Sequence, residues 1–159
     1  MKKMRFGCLI IAVKDINVSR NFYEKVLKQK VGLDLGENVT IGEGNNCFAI
    51  QSDYVGLVGA DNFNITYKGN DHELYFEEDD FDGLERHLEQ FDIQYIHKAK
   101  EYSWGQRVIR FYDPDFHVVE VAESMESVFK KFQNKGMSID EVAIRTEHPV
   151  EFVRNYLCD

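Results

Sequence analysis

The residues best suited to chemistry are two glutamates and an arginine in the second half of the chain. Glu73 begins one predicted strand, and Arg110 and Glu120 lie within two later ones. If side chains alternate across these strands, Glu73 and Glu120 lie on neighbouring parts of one concave surface. Two carboxylates suit a hard cation such as Mg²⁺ or Mn²⁺. They are equally suited to an internal salt bridge with Arg110, whose guanidinium could instead clamp a carboxylate or phosphate of a ligand.

Aromatic side chains accompany these charged groups. As a set they could line an apolar ligand pocket, although each alone is more often part of a core. The candidates are Phe6, Phe48, Tyr75, Trp104 and Tyr112. Trp104 is the strongest of them, because the sequence around it predicts a loop, where a large aromatic side chain has less structural purpose.

The elements that must position these residues occur twice in one order: a strand, a capped helix and three strands. In the first half the predicted strands are 6–13, 31–35, 39–41 and 47–51, with a helix capped by Asp15 and an apolar stripe of Val18, Phe22 and Val26. In the second half they are 73–78, 94–97, 107–112 and 118–122, with a helix capped by Asp79 and Asp80. The halves span about 5–52 and 72–123, and the glycine-rich segment 53–71 between them is a linker or a lid.

Residues 124–159 predict three short helices with the outline of a helix-turn-helix. Ser138 and Glu141 form a capping box, and Pro149 suits the start of the third helix. That helix offers only Arg154 and Asn155 to DNA, too few groups for useful phosphate contacts. We therefore expect a packing appendage or a dimer element instead of a DNA reader.

Composition limits the class of protein. The chain has 159 residues, 43% of them hydrophobic, which is enough for one domain with a real core. Its formal net charge of −9 disfavours nucleic acid as a partner, and it has no apolar run long enough to cross a membrane. Three cysteines at irregular spacing predict a reducing compartment, so we expect a cytoplasmic protein.

The motifs of the second half resemble those of the vicinal oxygen chelate superfamily, which includes lactoylglutathione lyases, bleomycin-resistance proteins and extradiol dioxygenases. The resemblance covers roughly residues 5 to 123 and includes Asp15, Ser19, Phe22 and Tyr23 in the opening segment. Its most specific part is the series Trp104-Gly105-Gln106-Arg107, Arg110-Phe111-Tyr112-Asp113-Pro114-Asp115 and His117-Val118-Val119-Glu120-Val121. The resemblance implies an α+β fold of two βαβββ half-units that form a cupped mixed sheet, often as a homodimer, here with a short C-terminal helical appendix.

The same resemblance implies a metal position. Enzymes of that superfamily hold a divalent ion such as Mn²⁺, Ni²⁺, Zn²⁺ or Mg²⁺ with residues that correspond to Cys8, Glu73 and Glu120 here. This chain departs from the usual pattern at Cys8 and Glu73, where histidine is common. A thiolate is a soft ligand and matches a hard ion poorly. The alternative is that Cys8 is a small buried side chain and that no metal is bound.

Two functions follow from these features. The first is a protein that binds a small aromatic or cationic organic molecule without a metal, since an acidic cup with aromatic walls attracts cations. The alternative is a metal-dependent lyase or isomerase in which a carboxylate moves a proton on a vicinal-oxygen substrate. A weaker third interpretation is a ligand-responsive regulator that uses the C-terminal helices.

Overall fold

The computed structural model describes residues 3–60 and 63–158. Within them the strands are β1 Leu9–Ala12, β2 Val31–Asp34, β3 Asn38–Glu43, β4 Asn46–Gln51, β5 Glu73–Glu78, β6 Tyr95–Glu101, β7 Arg107–Tyr112 and β8 Val118–Glu123. The helices are α1 Ile16–Lys25, α2 Tyr54–Val58, α3 Phe81–Leu88, α4 Met125–Gln133, α5 Ile139–Thr146 and α6 Val150–Leu157.

The chain divides into two compact units. The first comprises the described residues up to Asn70 together with Asp113–His117, and the second comprises Asp71–Tyr112 and the described residues from Val118 onwards. Each unit contains a four-stranded mixed sheet, ordered β1-β4-β3-β2 in the first and β5-β8-β7-β6 in the second. In both sheets the first strand runs parallel to the last, and the other pairings are antiparallel. This repeated topology confirms the predicted α+β class with two βαβββ half-units.

Helix α1 packs in the first unit through a face that matches the predicted one only in part. Asp15 caps the helix as predicted, since its carboxylate accepts from the backbone N–H groups of Asn17 and Val18. The buried side chains are Ser19 and Tyr23, whereas Val18 is 51% exposed. The prediction is therefore wrong for Val18, whereas Phe22 is half-buried and Val26 is buried. Polar partners stabilise the rest of the buried face of this helix.

Those partners come from the turn at residues 113–117. The Tyr23 hydroxyl donates to Asp113 Oδ2 at 2.7 Å, and Ser19 Oγ donates to Asp115 Oδ2 at 3.2 Å. The Asp113 carboxylate also accepts from the backbone N–H groups of Asp115 and His117. Burial, and then the negative charge of Asp113, raise the pKa of Tyr23 well above its usual value. The phenol therefore stays protonated, and its hydrogen bond satisfies a carboxylate that is itself fully buried.

Two strand boundaries differ from the prediction by three residues or more. Strand β1 begins at Leu9, not residue 6, because its pairing with β4 starts where Leu9 lies opposite Phe48. Strand β6 continues to Glu101, beyond the predicted end at residue 97. Its ladder with β7 includes register shifts at His97 and extends to the pair Glu101 and Arg107. The polar residues after His97 carry no apolar alternation, so the pattern alone ended this strand too early.

The second unit buries one face of its sheet and one face of α3. Asp80 caps that helix by accepting from the backbone N–H of Gly83, and Phe81 and Leu88 are its buried side chains. Alternation along the strands places Leu74, Val119 and Val121 on the buried face. The neighbouring positions, among them Glu73, Tyr75 and Glu120, consequently lie on the opposite face.

Helices α4, α5 and α6 form a small core of their own within the second unit. Its buried members are Val128, Phe129, Phe132, Val142, Ala143 and Val153. The predicted capping box is present: Ser138 Oγ accepts from the Glu141 backbone N–H, and the Glu141 carboxylate accepts from the Ser138 backbone N–H. This local signal located α5 correctly. The segment between the sheets contains the short helix α2, and its role as a lid stays a prediction.

Replacing the Tyr23 hydroxyl tests the buried network of the first unit. Tyr23→Phe leaves Asp113 without its tyrosine donor, so we expect a loss of about 1.5 kcal/mol in the free energy of unfolding. Urea titration monitored by circular dichroism measures this change. The matched control is Tyr156→Phe on an exposed side chain, which should change stability by less than about 0.5 kcal/mol. Equal effects of the two variants would contradict the role of this hydrogen bond.

Candidate functional site

One face of the second sheet carries a row of polar side chains on adjacent strands. In the sheet register, Tyr75 of β5 lies opposite Glu120 of β8, and Glu120 lies opposite Arg110 of β7. Arg110 in turn pairs with His97 of β6. Directly paired residues project to the same side of a sheet. We call this surface, defined by Glu73, Tyr75, Glu120 and Arg110, the Arg110 face.

Arg110 is the centre of this row. Its Nε donates to Glu73 Oε2 at 3.0 Å, and its Nη2 forms an ion pair with Glu120 Oε2. The contact with Glu120 is one of charge and not an aligned hydrogen bond. Its Nη1 donates to the Tyr102 hydroxyl at 2.5 Å. Of the two roles considered for Arg110, the structure contains the internal salt bridge, and it involves both glutamates at once.

His97 completes the contacts of the guanidinium. Arg110 Nη1 lies 3.3 Å from His97 Nε2, and an arginine has only donors, so this nitrogen must accept. His97 Nδ1 lies 2.9 Å from the carbonyl oxygen of Lys98, to which it donates. The two contacts together select the tautomer with its proton on Nδ1. His97 therefore helps to fix the orientation of Arg110.

Glu120 is the buried carboxylate of this face. The residue is only 6% exposed, and this burial raises its pKa above the usual glutamate range. The positive charge of Arg110 acts in the opposite direction, and the neighbouring Glu73 raises the pKa further. The arrangement thus holds two carboxylates close together with one guanidinium between them.

Tyr75 lies beside these charges and is half-exposed. Its hydroxyl donates to Glu77 Oε1 at 2.8 Å. Burial, followed by the interaction with Glu77, raises the pKa of Tyr75 to about 12. The phenol is therefore protonated at neutral pH and presents a ring and a hydrogen-bonding group on the Arg110 face.

The loop between β6 and β7 supplies two stacked aromatic rings. The rings of Tyr102 and Trp104 lie 4.6 Å apart between centroids with an interplanar angle of 17°. Trp104 Nε1 donates to Gln106 Oε1 at 2.9 Å, and Gln106 donates to the backbone carbonyl of Glu123. Because the Tyr102 hydroxyl also contacts Arg110, this stacked pair lies at the edge of the Arg110 face. We call it the aromatic shelf.

The other predicted site residues are divided between the two units. Phe48 is buried in the first unit and packs edge-on against Tyr23, with 5.0 Å between ring centroids, so it serves the core. Phe6 precedes β1 and is 85% exposed. Cys8 is half-buried and also precedes β1 in the first unit. Tyr112 is half-buried at the end of β7, on the same side as Arg110.

Sequence reasoning missed three residues of this face: Tyr102, His97 and Glu77. Tyr102 could have been found as an aromatic side chain two positions from Trp104 in the same loop. Glu77 shares the alternation of Glu73 and Tyr75, which was a usable signal. The register shifts in β6 meant that no sequence pattern placed His97 opposite Arg110.

The donors present do not fit a divalent metal ion. Glu73 and Glu120, the two carboxylates at the metal positions that the resemblance implies, both contact the guanidinium of Arg110. The third position is Cys8, whose thiolate would be a soft ligand beside two hard ones. Among residues 3–60 and 63–158, no group of three or more histidine, cysteine, aspartate or glutamate side chains is arranged to hold an ion.

Comparisons with known proteins identify the class. The model of the glyoxalase-like domain family matches residues 6–126. The chain therefore belongs to the glyoxalase-like domain family, within the vicinal oxygen chelate superfamily. None of the helices in the described part of the chain has the length and apolar content to cross a bilayer. A comparison with curated protein sequences finds no match.

Solved structures with this fold include one that is appreciably similar in sequence. A protein of unknown function from Agrobacterium tumefaciens str. C58 is 35% identical, with a TM-score of 0.66, and the match covers 78% of this chain and 97% of that one. A lactoylglutathione lyase from Agrobacterium tumefaciens is 21% identical, with a TM-score of 0.58 and coverage of 78% and 96%. A glyoxalase/bleomycin resistance protein/dioxygenase family enzyme from Burkholderia phytofirmans PsJN is 18% identical, with a TM-score of 0.64 and coverage of 74% and 96%. The last two likenesses concern the fold alone.

Removing Arg110 should destabilise the protein in a pH-dependent way. In Arg110→Met, Glu73 and Glu120 repel each other without a cation, which we expect to cost about 2 kcal/mol near pH 7.5. The pKa of Glu120 is already raised in the folded state and should rise further in this variant. A carboxyl that binds its proton more tightly when folded favours the folded state as the pH falls. The difference in thermal midpoint from the wild type should therefore shrink towards about pH 4.5.

A double variant provides the control. Adding Glu120→Gln to Arg110→Met removes the like-charge repulsion, so the midpoint near neutral pH should recover and its dependence on pH should weaken. A destabilisation by Arg110→Met that stays constant across this pH range would contradict the electrostatic account.

Proposed function

We propose that this protein binds a small organic molecule on the Arg110 face without a metal ion. The observation that carries the proposal is the contact of one guanidinium with both Glu73 and Glu120. Arg110 thereby supplies the positive charge that a metal ion would otherwise supply to these two carboxylates. The face is left with polar groups for orientation and with rings for contact, which is the usual composition of a small-molecule site.

The aromatic shelf supports a planar ligand. Tyr102 and Trp104 stack in parallel, and Trp104 is half-buried, so one ring is already held in place by the other and by Gln106. A ring held in this way loses little conformational entropy on binding. A flat aromatic molecule can extend such a stack and gain about 1 kcal/mol beyond the area that it buries.

The charge pattern supports a cationic group on that ligand. Strand β5 presents the exposed carboxylates of Glu73 and Glu77 on this face. Rings here already attract cations, since Lys100 Nζ lies 5.2 Å and Arg110 Cζ 5.9 Å from the Tyr102 ring centroid. A positive group placed towards Glu77 would therefore meet negative charge that Arg110 does not neutralise.

The other interpretations have less support. A metal-dependent lyase or isomerase needs Glu73 and Glu120 as ligands, yet Arg110 engages both of them. A regulator needs cations on α6, where Arg154 pairs with Glu151 of its own helix. The cytoplasmic location and the homodimer that the sequence predicts stay predictions within this proposal.

A matched set of probes tests the ligand class. We expect N-methylquinolinium to bind more tightly than neutral 2-methylquinoline, and quinoline-2-carboxylate to bind most weakly. Trp104 is the only tryptophan of the chain, so quenching of its fluorescence measures each affinity directly. Glu77→Gln should remove much of the preference for the cation, about three- to tenfold, because it neutralises an exposed carboxylate without changing its shape.

The control is Glu43→Gln, which neutralises an exposed carboxylate in the first unit that pairs with Lys30. It should leave all three affinities unchanged. Two results would count against the proposal. One is that the three affinities do not follow the charge of the probes, and the other is that Glu43→Gln changes them as much as Glu77→Gln does.

A further inference from the structure

The C-terminal helices contact the loop that carries the aromatic shelf. The family match ends at residue 126, so most of α4 and all of α5 and α6 lie beyond it. The similar solved structures are matched over nearly their whole length while leaving part of this chain uncovered. These helices are therefore an addition to the family fold, and nothing described so far requires them.

Two cations of these helices donate to backbone carbonyls of that loop. Arg145 of α5 donates through Nη1 to the carbonyl oxygen of Ser103. Lys131 of α4 donates through Nζ to the carbonyl oxygen of Gly105 at 2.8 Å. Charge-assisted hydrogen bonds of this kind are the stronger ones in proteins. These two carbonyl groups belong to the residues on either side of Trp104. Both neighbours of Trp104 are therefore hydrogen-bonded to the C-terminal helices.

Phe132 of α4 packs closely against the same loop. Gly105 has a φ of +87°, and a Cβ added there would lie 2.6 Å from the ring of Phe132, so only glycine allows this approach. The Arg145 guanidinium lies over the same ring, with its Cζ 4.8 Å from the centroid. The Phe132 ring thus contacts Gly105 and the Arg145 guanidinium, and Arg145 also holds Ser103.

The same loop contacts the Arg110 face, so its position affects that face. It closes on itself through the Gly105 backbone N–H, which donates to the Tyr102 carbonyl at 2.9 Å. Tyr102 stacks on Trp104, and its hydroxyl accepts a hydrogen bond from Arg110, which contacts both glutamates. A displacement of the loop must therefore move the aromatic shelf and loosen one contact of Arg110.

We propose that the C-terminal helices are a built-in brace that sets the position of the aromatic shelf, with Arg145 as its positioning residue. The brace determines how tightly and how selectively the Arg110 face binds a planar ligand, and this second part rests on the proposed function. Arg145 touches no ligand in this account and acts only through the loop.

The fluorescence of Trp104 tests the brace without any ligand. In Arg145→Ala, we expect quenching by acrylamide to increase and the near-ultraviolet circular dichroism of the stacked rings to decrease. Arg145→Lys keeps a cation that can reach Ser103 and should restore most of both signals. The affinity for N-methylquinolinium should fall about tenfold in Arg145→Ala and recover in Arg145→Lys.

Arg154→Ala is the matched control, because that cation belongs to the same appendix but pairs with Glu151 of its own helix. It should leave the fluorescence and the affinity unchanged. Lys131→Met provides a second test of the loop if Arg145→Ala unfolds, which far-ultraviolet circular dichroism would reveal.

The outcomes separate the two proposals. If both folded variants leave the quenching and dichroism of Trp104 as in the wild type, the brace is overturned. If the signals change but the affinity for N-methylquinolinium does not, the brace does not set the site and the inference fails. If the signals change as expected while the wild type binds none of the three quinoline probes, the brace stands and the proposed function fails.

Discussion

The second sheet depends on one interaction: a single guanidinium lies between two carboxylates on adjacent parallel strands. The other contacts of the candidate site follow from it. Parallel pairing of β5 with β8 places Glu73 and Glu120 near each other, and Glu120 is buried. Two such groups cannot both carry a charge in a partly dry environment unless a cation lies close by. The protein supplies that cation from its own strand β7, as Arg110.

The position of Arg110 has consequences on either side. Its remaining donors are used by Tyr102 and His97, so the guanidinium is held from three strands and a loop. Tyr102 then orders Trp104, and the loop that carries both is tied to α4 and α5. A continuous set of contacts therefore runs from the first strand of the second sheet to helices outside the family fold. Physical contact of this kind is what allows one part of a site to depend on another.

The repeated topology could be predicted from the sequence because its signals are local. Alternating residues located β5 and β7 without error, and the caps at Asp15 and Asp80 and the box at Ser138 located helix starts. The apolar stripe of α1 was wrong at Val18, because the helix instead buries Tyr23 and Ser19, whose polar partners are 90 and 96 residues away. No pattern within one helix can reveal a partner at that distance.

The candidate site was predictable only in part, for the same reason. Alternation gave the shared face of Glu73, Glu120 and Arg110, but it could not decide between a ligand clamp and an internal ion pair. That choice depends on distances that the strand register sets. The sequence could not show which face Phe48 occupies, because a strand that is buried on both faces has no polar side to mark its orientation.

The most direct test of this account is the metal content of the purified, untagged protein. Plasma mass spectrometry after dialysis against Mn²⁺, Ni²⁺ and Zn²⁺ measures it for the wild type and for Glu120→Gln. Because Arg110 contacts both carboxylates, we expect far less than one ion per chain in the wild type. Near-stoichiometric metal in the wild type that is lost in Glu120→Gln would contradict it and would favour the metal-dependent enzyme.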